Sequence, residues 1–189
     1  PEKGTEFKRA ISDEFPLYYY KFMWSAQLDA DVKIAEIRGI PSPPNISTFK
    51  FSEIFQNRLF LFNEQSGSNN AAIYSNANAP DIFNGDDSGS IVFGGKTELT
   101  AAKTIYNVFQ NTAVEQMLVT KAHETWRLSG NDPSDWELKR MSANIGCVAP
   151  LTMVSAEVTE TATDVRRSVA IWVSDNGPVM SDGAAIYPI

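Results

Sequence analysis

Apolar side chains come in short bursts along this chain. Each is rich in Val, Ile, Phe, Trp or Thr and is closed off by Gly, Asn, Asp, Ser or Pro. That vocabulary predicts strands joined by turns. The candidates are Tyr18–Trp24, Arg58–Phe62, Ala71–Ser75, Ser90–Phe93, Met117–Thr120, Thr125–Ser129, Trp136–Met141, Thr152–Val158, Val169–Ser174 and Val179–Ser181. Helical periodicity is convincing nowhere. Glu98–Phe109 is mixed: Ala and Lys favour helix, but Thr104-Ile105-Tyr106 and Val108-Phe109 favour strand, and it is assigned as strand. Ile186–Ile189 also reads as a strand. The expected fold is all-β.

The pattern breaks at Ile37–Asn45, IRGIPSPPN, where three prolines deny the backbone ladder donors and hold it extended. Residues 1–45 are expected to form a β module or the end of an immunoglobulin-like insertion with a Pro-rich linker. Beyond them, 46–189 shows a repeat. Ile73–Phe83 (IYSNANAPDIF) aligns with Trp126–Trp136 (WRLSGNDPSDW) at a shift of 53, pairing Asn78 with Asn131 and Pro80 with Pro133. Met117–Thr120 (MLVT) aligns with Ile171–Ser174 (IWVS) at a shift of 54, each running through four residues (Lys121–Glu124, Asp175–Pro178) into another strand. Several short strands per unit of this length point to propeller-like antiparallel blades, an incomplete set in a fragment of a longer chain. One blade cannot bury both of its faces, so neighbours stack.

Within such a blade, the chemically crowded stretch Thr120–Pro150 has a structural account. Trp126 and Leu128 share one face of a return strand and Arg127 the other, while Trp136, Leu138 and Arg140 share a face of the next. Gly130–Ser134 is a turn. Both tryptophans are expected to pack between blades, each offering a large apolar area.

Charge narrows the partners. Sixteen Lys and Arg stand against 23 Asp and Glu, for a net charge of −7, with no basic run. A surface that grips duplex phosphate is not expected, though an acidic wall that DNA slides past is compatible. Cys147 is the only cysteine, so no intrachain disulfide forms. No apolar run reaches the ~18 residues of a membrane helix, and the N-terminus lacks the pattern of a secretory signal.

Candidate chemistry is sparse. His123, the single histidine, sits in a charged turn and is expected to face solvent. Cys147 has no neighbouring base and reads as a small buried hydrophobe. One Cys and one His do not make the usual structural zinc site. Asp81, Asp86, Asp87, Asp132, Asp135, Asp175 and Asp182 all lie in or beside turns, where aspartates commonly bond their own backbone. Glycoside hydrolysis needs two carboxyls roughly 5–10 Å apart, one with a raised pKa, and no such pair is evident. Ser174–Gly177 is a partial Asp-box turn without its Trp. Asn84–Gly89 lacks calcium-loop spacing, and Gly94-Gly95-Lys96-Thr97 lacks the first glycine of a phosphate loop, Ser90 standing there instead. No catalytic, cofactor-binding or metal role is assigned to any residue.

Taken together, Ile73–Phe83, Thr120–Gly130, Gly146–Pro150 and Val173–Ile189 resemble the repeated β-rich core of bacteriophage tail and neck proteins of the podovirus tail-nozzle (tail tubular protein) type. The likeness covers roughly residues 49–189 in order. It departs at Pro178, where the family more often has Tyr, Val or Ile. The resemblance implies a non-enzymatic virion component assembled in the host cytoplasm, forming a homo-oligomeric ring with other tail and neck proteins around a channel that DNA crosses without specific binding. The alternative is a carbohydrate- or receptor-binding propeller of a tail fibre or spike, with Trp126, Trp136, Trp172 and Tyr18–Tyr20 as stacking platforms.

Overall fold

A computed structural model describes residues 46–189 apart from 66, 110–111 and 161–164, so the strand at Tyr18–Trp24 and the module of residues 1–45 lie outside the described residues. The described residues all belong to one compact unit, Asn45–Ile189.

Among the described residues, twelve strands form three antiparallel four-stranded sheets, each a meander in chain order. The first holds β1 (Phe49–Phe55), β2 (Arg58–Glu64), β3 (Ala71–Tyr74) and β4 (Gly89–Val92). The second holds β5 (Leu99–Phe109), β6 (Thr112–Lys121), β7 (Thr125–Ser129) and β8 (Glu137–Ser142). The third holds β9 (Val154–Glu160), β10 (Val165–Ser174), β11 (Gly177–Ser181) and β12 (Ile186–Pro188). They stack in sequence as propeller-like blades, and the arrangement is not a closed barrel. No helix among the described residues is long and apolar enough to cross a membrane.

Period-two alternation divides each sheet into two faces. In the first sheet the row Phe51, Phe62, Ala72 and Ile91 meets the second sheet, together with Phe55, Phe60 and Tyr74. The second sheet answers with Ala102, Met117, Val119, Trp126, Leu128 and Leu138. Its opposite face gives Ala101, Ile105 and Leu118 to a second seam, which Ala170, Trp172 and Val179 of the third sheet complete. The middle sheet is therefore buried on both sides. Aromatic packing orders the first seam: Phe51 and Phe62 stack at 4.9 Å and 8°, and Tyr74 meets Trp136 edge-on at 4.9 Å. Each such pair contributes about 0.5–1.5 kcal/mol beyond the area it buries.

Both repeats fall on equivalent strands. Ile73 lies on the third strand of the first blade and Trp126 on the third of the second, while Met117–Thr120 and Ile171–Ser174 lie on second strands. The hairpins correct the second shift by one residue. Lys121 N–H donates to Glu124 O, and Ser174 pairs with Gly177, so Lys121 corresponds to Ser174 at a shift of 53, as in the first repeat. Val119 then matches Trp172, and each faces the preceding sheet.

Candidate functional site

The residues most able to do chemistry lie in turns and seams, and the contacts of each say what it does. His123 stands in the β6–β7 hairpin, 68% exposed, and its Nδ1 lies 2.7 Å from Asp175 Oδ2 in the β10–β11 hairpin. Two corresponding turns of neighbouring blades are thus tied at the surface, and the imidazole faces solvent as expected. Cys147 is fully buried, its Sγ 3.3 Å from Ala149 O. Burial pushes the thiol pKa up, which keeps it protonated and unreactive.

The aspartates act on local backbone or on single cations. Asp135 Oδ1 accepts from the amides of Asn131 (2.8 Å) and Asp132 (2.7 Å). Asp132 Oδ1 accepts from Ser134 N–H at 2.9 Å, and that bond lowers its pKa, because it favours the ionised form. Asp182 Oδ1 accepts from Ala184 N–H at 3.0 Å, while its Oδ2 lies 3.4 Å from Arg167. Asp87 in the Asn84–Gly89 loop meets Arg58 at 2.7 Å; Asp81 and Asp86 are exposed. Among the described residues no three His, Cys, Asp or Glu side chains converge as a metal site. In the Gly94–Thr97 loop, Gly94 O and Gly95 O both accept from Asn70 Nδ2 at 3.2 Å, and a strand follows rather than a helix.

Two buried cations are absent from the sequence-based candidates. Arg58 donates to Ser75 O at 3.2 Å and its guanidinium lies 5.9 Å from the ring centroids of both Tyr74 and Trp136. Lys121, 1% exposed, donates to Gly95 O at 2.6 Å and sits 3.8 Å from Glu124; burial lowers its pKa. Glu124 also accepts from Trp126 Nε1 at 3.0 Å and lies 3.8 Å from Arg140. The available signal is parity: Arg58 and Lys121 occupy inward positions, in step with Phe60 and Phe62 and with Met117 and Val119.

A third tie is Gln56. It and Asn57 form the two-residue β1–β2 turn with φ of 50° and 57°, the left-handed region that such hairpin turns need. Gln56 is held there by the second sheet. Its N–H donates to Glu115 at 3.1 Å, its Nε2 to Gly130 O, and its Oε1 accepts from Trp136 Nε1 at 2.8 Å.

The three tryptophans among the described residues all take part in packing. Trp172 is fully buried and donates from Nε1 to Gly146 O at 2.9 Å, while Trp126 and Trp136 lie against the first seam. Full burial withdraws Trp172 from the sugar-stacking role, Trp126 and Trp136 are partly buried, and Tyr18–Tyr20 lie outside the described residues. Compared with family models, curated proteins and solved structures, the chain matches none.

Proposed function

We propose that this chain is a structural, non-enzymatic part of a bacteriophage tail or neck, one unit of a ring surrounding a path for DNA. The observation that carries the reading is the use made of its polar side chains. Arg58, Lys121, Gln56 and His123 each reach a neighbouring strand, loop or sheet, and the turn aspartates bond their own backbone. Such side chains fix a rigid stack and are not gathered around a reaction centre. The hairpin and turn motifs of Ile73–Phe83, Thr120–Gly130 and Val173–Ile189 support the phage assignment, and the net charge of −7 suits a wall that phosphate does not adhere to.

The test is where the protein resides. Gold-labelled antibody against this chain should decorate the tail–neck junction of particles purified from the lysate that produces it. Label confined to free fibres, or particles without label, would remove this role.

A further inference from the structure

Each of the two seams is filled at one end by a turn that follows the third strand of the later sheet. Gly130 and Gly183 stand in these turns, 53 positions apart, with φ of 127° and 86°. Each offers its carbonyl to the sheet before it: Gln56 Nε2 donates to Gly130 O, and Arg127 donates to Gly183 O at 2.9 Å. In the first seam the same turn delivers Trp136. Its ring centroid lies 4.9 Å from that of Tyr74 and 5.6 Å from that of Phe60, and its Nε1 donates to Gln56 Oε1 at 2.8 Å. Gln56 thus holds the turn twice, as donor to the glycine carbonyl and as acceptor for the indole.

Strand pairing repeats that seat from sheet to sheet. Phe60 pairs with Tyr74, Leu118 with Arg127 and Ile171 with Met180, the last two pairs again 53 positions apart. The first pair receives Trp136 and the second receives the Gly183 turn. Ile171 and Met180 alternate with Trp172 and Val179, which point into the second seam, so they face away from it. On that side Val158, Arg167, Val169, Met180, Asp182 and Tyr187 line an open depression of about 200 Å³. Val169 is buried at its floor, while Val158 and Tyr187 are 39% and 43% exposed. The lining resembles the first seat more than the second. Where the second sheet meets its turn with Asn107 and Arg127, the depression offers Val, Met and Tyr. Gln56 and Arg58 precede Phe60 by four and two residues, as Arg167 and Val169 precede Ile171. Arg167 therefore stands where Gln56 donates, and Asp182 Oδ2, 3.4 Å away, is the acceptor. A guanidinium has further donors and a carboxylate further lone pairs, so the two can take a carbonyl and an indole N–H while still joined.

We propose that this depression is a socket for a tryptophan carried on a glycine-containing turn of a partner sheet, seated as Trp136 is seated on the first sheet. The indole covers Val158, Val169 and Met180, its N–H meets Asp182, and the glycine carbonyl meets Arg167. The volume suits one large side chain, since about 200 Å³ is below the roughly 300–1,000 Å³ of pockets that enclose small ligands. A second copy of this chain does not supply the occupant. Its Gly130 and Trp136 are engaged in its own first seam, its Gly183 turn continues with Ala184 and Ala185, and its Asn76–Phe83 turn has neither glycine nor tryptophan. The socket rests on the stacking of the sheets and not on the phage role.

The probe is a blocked synthetic peptide of the first-seam turn, Ser129–Glu137 (SGNDPSDWE), whose shape Asp135 holds by accepting from the amides of Asn131 and Asp132. Titrated into the whole methyl-labelled chain, it should give saturable NMR shifts at Val158, Val169 and Met180. The same peptide with Trp136→Ala should bind about tenfold more weakly or worse. In the protein, Val158→Lys should abolish the shifts by setting a charge against the indole. Arg167→Met, which keeps the apolar stem and loses the donors, should weaken binding several-fold, and circular dichroism establishes that both variants are folded. No saturable shift, equal affinity for the alanine peptide, or binding that Val158→Lys leaves unchanged overturns the socket. Shifts at the same methyls that grow with protein concentration in the absence of peptide overturn it too, because they place a second copy on this face.

Discussion

Arg58 is the side chain on which most contacts of the first seam's outer end depend. Its side chain is 6% exposed, and the guanidinium bonds Ser75 O and the Asp87 carboxylate, while Tyr74 and Trp136 flank it. Trp136 belongs to the second sheet's side of the seam, so one cation joins two strands, a loop and a neighbouring blade. Removing it leaves Ser75 O without this donor and opens space beside two rings. Arg58→Met should therefore cost about 2–3 kcal/mol. Asp87 is 49% exposed, and solvent screens its share of the pair. Asp87→Asn should cost less than about 1 kcal/mol. Urea unfolding of both variants checks the order, and equal losses would show that the ion pair, rather than the buried guanidinium, holds this end together.

At the scale of elements, the connection from the second sheet to the third is closely packed against backbone. A Cβ placed on Gly146 would lie 2.1 Å from Lys121 O and 2.6 Å from Ala122 backbone atoms. The next residue, Cys147, donates its N–H to Lys121 O at 2.8 Å, and Gly146 O accepts from Trp172. The crossing is thus pressed against the end of β6 while it anchors the third sheet's largest side chain, and neither neighbour is a flexible tip that could yield. Gly146→Ala should cost about 2–3 kcal/mol in thermal or urea unfolding. Gly95→Ala, with open space around its Cβ and no left-handed φ, should stay within about 0.5 kcal/mol. A neutral Gly146→Ala would mean that the crossing is looser than this packing.

The same elements show how much of the fold is legible in the sequence. Thr125–Ser129 is the same five residues in sequence and structure, because Trp126 and Leu128 alternate with Arg127 between unambiguous turns. Leu99–Phe109 is strand as expected, since its β-branched residues outweigh Ala and Lys. Phe49–Phe55 is missing from the expected strands although Phe49 and Phe51 alternate with Lys50 and Ser52; the proline-rich break just before it masks a strand that starts so soon afterwards. The tie between His123 and Asp175 is not legible at all. It depends on two hairpins 52 positions apart lying side by side, and only stacking brings them together.

For the whole molecule, the decisive feature is a middle sheet that serves two seams at once. A fold in which each blade touches only its neighbours has stability close to a sum of blade and interface contributions. Phe62 lies in the first seam and Trp172 in the second, with the second sheet between them. Packed sheets are about 10 Å apart, so the two side chains share no direct contact across that layer. Coupling would have to pass through the backbone of β6, where Met117 faces one seam and Leu118 the other. If that strand is rigid, Phe62→Leu and Trp172→Phe should lower stability independently. The double variant should lose the sum of the single losses to within about 0.5 kcal/mol, in one cooperative transition. A double variant more stable than that sum by over about 1 kcal/mol would show that the middle sheet shifts to relieve one seam when the other is cut back. The blades would then move as a linked stack, and the propeller description would have to give way to a single shared core.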